Sequence, residues 1–122
     1  MLLTDQPDGL TSRRLATYGS LVDVEDEVYT ALSAILDDPM GYDLFVMDCD
    51  AFGGIAAAER AIATLIAAEA KMRVMLVSQE FEIPAYPMGL RTAVCLPDHV
   101  SETGFRRGFE HVLRDRSAMT LM

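Results

Sequence analysis

The chain has 122 residues, enough for one domain built around a single hydrophobic core. Hydrophobic residues make up 51% of it, yet no apolar run approaches the roughly 18 residues that span a bilayer, and no basic segment precedes an apolar stretch at the N-terminus. Nineteen acidic residues against ten basic ones give a net charge of −9, a surface that repels phosphate backbones, so a cytoplasmic protein without membrane or nucleic-acid partners is expected.

Met1 to Thr4 is a short apolar run, a first strand, broken by the turn-forming Asp5-Gln6-Pro7-Asp8-Gly9. Leu10 to Ala16 suits a brief helix before Gly19, and Leu21 and Val22 suggest a second short strand. Val28, Leu32, Ile35 and Leu36 then fall at helical spacing, with Glu25, Asp26 and Glu27 at the positive end of the helix dipole and a stop near Asp38-Pro39. Leu44 to Met47 is apolar without alternation, the pattern of a strand covered on both faces. Ile55, Ala58, Ile62, Leu65 and Ile66 line one helical face, and Val74 to Val77 repeats the buried-strand pattern. Pro84, Pro87 and Gly89 leave little room for a helix between Phe81 and Arg91. Ala93 to Leu96 is a fifth strand, and Phe105, Phe109, Val112 and Leu113 mark a closing amphipathic helix followed by an apolar tail over 117–122.

Strands alternating with helices, each strand apolar throughout, predict a three-layer α/β domain over 1–122: a five-stranded parallel sheet with helices on both faces. Ligands of such folds sit at the carboxyl ends of the strands. Asp5, Asp48 and Ser78 each lie at or just after a strand end, so all three should converge on one crevice. Two carboxylates and a hydroxyl there could hold a hard cation such as Mg²⁺. One carboxylate could then accept a phosphoryl group as an acyl phosphate, with the hydroxyl bonded to the transferred group. A plainer reading has Asp48 and Asp50 capping the helix that begins near Gly54, with Ser78 an ordinary strand-end residue.

Four stretches, LLTDQP (Leu2 to Pro7), YDLFVMDCD (Tyr42 to Asp50), VMLVSQE (Val74 to Glu80) and AVCLP (Ala93 to Pro97), resemble the receiver domain of two-component response regulators. The resemblance follows the order of elements over nearly the whole chain and implies a flavodoxin-like sheet of order 2-1-3-4-5. It implies Asp48 as phosphoacceptor, Asp5 as the second acid of the pair after strand one, and Ser78 as the switch hydroxyl. Mg²⁺ would be held by Asp5 and Asp48, with the backbone carbonyl of Asp50 as a further ligand. It also implies signalling through a protein partner, such as a histidine kinase, a phosphotransfer protein or a transcription or signalling protein, or through a homodimer. This sequence departs from the family where Thr4 replaces the first acid of the pair, Leu96 the lysine before Pro97, and Ala93 the aromatic switch residue. The loop after the acceptor is short, and the first and fourth helices are cut down. A divergent, degenerate receiver is therefore expected, without enzymatic activity of its own.

Two other classes compete. A regulatory module of the anti-sigma-factor-antagonist type also ends a strand in Asp before a helix, but it expects a serine at the helix start, where this chain has Gly53, Gly54 and Ala56 to Ala58. A small enzyme with Cys49 or Asp48 as nucleophile would need a base or helix dipole to activate the thiol. Neither His99 nor His111 is placed by sequence to serve, and no His or Cys lies at ligand spacing from either. Cys49 and Cys95 are expected to be small reduced core residues. Arg106, Arg107, Arg114 and Arg116 read as a solvated helix face, and the eight methionines as core fillers.

Overall fold

The computed structural model describes residues 1–19, 21–86 and 93–121, with side chains as far as Leu113 in the last helix. In chain order the elements are β1 (Leu2–Leu3), α1 (Leu10–Thr17), β2 (Val24–Glu25), α2 (Val28–Asp37), β3 (Leu44–Asp48), a 3₁₀ turn (Cys49–Phe52), α3 (Ile55–Ala67), β4 (Arg73–Ser78), β5 (Val94–Pro97) and α4 (Glu102–Leu121). The five strands pair in parallel in the order β2-β1-β3-β4-β5, the flavodoxin-like arrangement expected. Every residue of the interior strand β4 is buried, which is why its sequence, RVMLVS, shows no alternation.

Each face of the sheet has its own apolar layer. On one, Leu2, Val46, Met75, Val94 and Leu96 meet Leu15 of α1 with Phe105 and Val112 of α4. On the other, Leu3, Phe45, Met47 and Leu76 meet Ala31 and Ile35 of α2 and Ala57, Ala58, Ala61 and Leu65 of α3. Alternate residues of each strand point to opposite faces, so adjacent pairs such as Leu2 and Leu3 divide between the two layers.

The second strand lies further along than the sequence suggests. Leu21 is fully exposed and Val22 half-buried, whereas Val24 and Glu25 pair with Leu2 and Leu3. With only two residues in β1 to pair with, β2 is fixed by the bonds Leu2 N–H to the Asp23 carbonyl and Thr4 N–H to the Glu25 carbonyl rather than by an apolar run. Between β4 and β5 the residues 79–86 carry no helix, while 87–92 lie outside the described residues. Ala85 forms an antiparallel bridge with Cys95, which covers part of the free edge of β5. The tail over 117–122 continues α4 as far as Leu121, and its side chains lie outside the described residues.

Candidate functional site

The order β2-β1-β3 reverses direction between β1 and β3, the point in a doubly wound sheet where a crevice opens at the carboxyl ends of the strands. A cleft of about 460 Å³ lies there, and Asp5, Thr11, Arg14, Asp48, Asp50 and Asp98 all line it. Asp48 reaches it because it is the last residue of β3, and Asp5 because the chain leaves β1 at Thr4. Of the predicted site residues, Asp5, Asp48 and Asp50 line this cleft and Thr4 adjoins Asp48, while Ser78 and Leu96 lie beneath its surface. Ser78 is fully buried at the end of β4, and Leu96 is fully buried in β5 among the core residues under α4.

Asp48 is held by hydroxyl groups. Thr11, in the first turn of α1, donates to its Oδ1 at 2.9 Å, and the nearby Thr4 hydroxyl also favours the charged carboxylate. The Thr4 oxygen in turn accepts from the Gln6 N–H at 3.1 Å, which fixes the turn after β1. Burial pushes the Asp48 carboxyl above its ordinary value, the two hydroxyls oppose that shift, and the nearby charges of Asp5 and Asp50 add to it.

Asp50 binds a different set of groups. Its Oδ1 accepts from the Ser78 hydroxyl at 2.6 Å and its Oδ2 from the Gln79 N–H at 2.8 Å. The Ser78 oxygen also accepts from the Glu80 N–H at 3.0 Å, so this hydroxyl ties the turn after β4 to the turn after β3. The helix cap suggested for Asp48 and Asp50 belongs instead to Glu80, whose carboxylate accepts from the Ile55 N–H at 2.8 Å at the start of α3. The exchange is steric. Gly53 and Gly54 both hold positive φ, at 112° and 78°, and a Cβ on Gly54 would run into the Glu80 carboxylate.

Cys49 lies just behind this surface, buried, with its thiol 3.5 Å from the Met47 carbonyl. Burial first, then the Asp50 charge, push the thiol up to about 12, so it stays protonated at neutral pH and is a poor nucleophile. Among the described residues no group of three or more His, Cys, Asp or Glu side chains is arranged to hold a metal ion.

Thr11, Arg14 and Glu80 are the residues that sequence reasoning missed. Thr11 carries no motif; its role follows from α1 starting at the same sheet end as Asp48. Arg14 is placed by contacts within its helix layer, 3.3 Å from Glu102 and 5.3 Å above the Phe105 ring. Only the glycine pair signalled that something would approach the start of α3. No family model matches the chain, and no curated protein or solved structure matches it either.

Proposed function

We propose that the chain is a divergent receiver-type signalling domain that acts by docking a protein partner and does so without phosphorylation of Asp48. The strand order and the position of Asp48 at the switch point support the receiver likeness. What carries the phosphate-independent reading is the Thr11 hydroxyl bonded to the Asp48 carboxylate, together with the core position of Leu96. A phosphoacceptor needs its carboxylate oxygens free to attack and the charge of the incoming group neutralised. Here Thr11 donates to one of those oxygens, and the position that would supply a lysine is Leu96, packed in the core.

The donor set also fits Mg²⁺ poorly. The ion takes about six oxygen ligands and favours carboxylates. Thr4 withholds one charge, and one Asp48 oxygen already accepts the Thr11 hydroxyl proton. The test is incubation with acetyl phosphate and Mg²⁺ followed by intact mass measurement. We expect no adduct. A mass increase of one phosphoryl group that disappears in Asp48→Asn would overturn the phosphate-independent reading.

A further inference from the structure

The two helix layers differ in charge. α1 carries Arg13 and Arg14 and no acid, and the described charged side chains of α4 are Arg106 and Arg107 against Glu102 and Glu110, with Glu102 paired to Arg14. Among the described residues these two helices therefore bring four arginines against two acids to one layer. They pack side by side on one sheet face, where Tyr18 stacks on Phe109 with ring centres 4.8 Å apart and the Arg106 guanidinium lies 5.5 Å above Tyr18. Arg13, Arg106 and Arg107 are exposed. Beside this seam an apolar cleft of about 430 Å³ opens, lined by Leu15, Val22, Leu44 and Phe109 among others.

The opposite layer is its complement. The stretch 25–38, which contains α2, has acids at Glu25, Asp26, Glu27, Asp37 and Asp38 and no basic residue. Its buried face, Ala31 and Ile35, meets the sheet, while Tyr29 is 79% exposed, Leu36 38% and Met40, just past the helix, 92%. Tyr29 and Leu36 are two turns apart and share the outward face. Exposed apolar side chains framed by charge of one sign mark an interaction surface.

We propose that the acidic, apolar face of α2 docks on the basic α1–α4 face of a second copy of this chain, head to tail. Charge complementarity selects the arrangement. A two-fold contact through either face alone would set arginines against arginines or carboxylates against carboxylates, whereas the heterologous contact pairs opposite signs. Arginine and aromatic side chains on one face and an apolar strip on the other supply the desolvated centre such contacts need. A heterologous contact leaves one free face at each end, so assembly proceeds past the dimer.

The inference rests on reading the chain as a docking module, and the two readings fail separately. A phosphoryl adduct on Asp48 removes phosphate independence without altering the charge layers; a chain that never self-associates removes only the second-copy assignment. The experiment is sedimentation of the full chain from micromolar to near-millimolar concentration, at about 20 mM and about 500 mM NaCl, where the screening length falls from roughly 20 Å to below roughly 5 Å. The average mass should at least double at low salt and return to monomer at high salt. Arg106→Glu/Arg107→Glu and Asp26→Lys/Asp37→Lys/Asp38→Lys, each checked for folding by circular dichroism, should be monomeric alone and should associate when mixed, since mixing restores opposite-sign faces. A wild-type monomer throughout, association that survives high salt, or charge-reversed variants that associate as the wild type does would overturn the proposal.

Discussion

Asp48 shows how one side chain can be both well bonded and poorly tolerated. Its hydroxyl partners stabilise the ionised form, but burial outweighs them, and its proton is held more tightly in the folded chain than the ordinary value of 3.8. The sign of the linkage follows. Below 3.8 the carboxyl is protonated whether the chain is folded or not, and it contributes nothing to the pH dependence. As pH rises through the window between 3.8 and the raised folded value, the unfolded chain loses its proton first, so stability falls; above that window the loss is constant. Asp48→Asn keeps an acceptor for Thr11 and removes the charge. Its Tm should exceed that of the wild type at neutral pH, and the gap should close below the window. Thermal unfolding of both proteins across pH measures it. A gap that widens on acidification would mean that the hydroxyl bonds, not burial, dominate.

At the scale of elements, the docking of α4 on β5 depends on a glycine. A Cβ on Gly108 would stand 3.2 Å from both Leu96 Cδ1 and Val94 Cγ1, side chains that are essentially fully buried in the strand below. Alanine in a helix interior ordinarily gains up to about 1 kcal/mol over glycine. Overpacking a filled core costs about 1–3 kcal/mol, and both neighbours are buried. Gly108→Ala should therefore destabilise by about 1 kcal/mol, while in a Leu96→Ala background the same change should cost less, because the missing isopropyl group removes the Leu96 contacts and leaves only that with Val94. A denaturation double-mutant cycle gives the difference, and equal effects in the two backgrounds would rule out this contact. The same pair explains what could and could not be read in advance. Leu44 to Met47 and Val74 to Val77 announce buried parallel strands because both of their faces are covered, so the apolar run itself is the signal. β2 gives no such signal, since Val24 and Glu25 are only half-buried at the sheet edge. Asp48 and Asp5 were legible as strand-end residues of a parallel sheet. Thr11 and Glu80 were not, because their roles arise only when α1 and the turn after β4 arrive beside them, a matter of tertiary placement that carries no local pattern.

For the whole molecule, charge acts against folding and toward association at once. With a net charge of −9 and five acids gathered in the stretch 25–38, the folded chain holds like charges closer together than the unfolded one does. Salt screens that repulsion, so in dilute solution Tm should rise by a few degrees between about 20 mM and about 500 mM NaCl. Concentrated protein should behave otherwise. If the acidic face of one copy covers the basic face of the next, association favours the folded state by mass action, and it does so most where screening is weakest. The low-salt Tm should then climb with protein concentration while the high-salt Tm stays fixed, flattening or reversing the salt dependence seen in dilute solution. Calorimetry at two protein concentrations and two salt concentrations separates the effects. A dilute-protein Tm that falls with salt would show that attraction between surface ion pairs, such as Arg14 with Glu102, outweighs the repulsion among the acids.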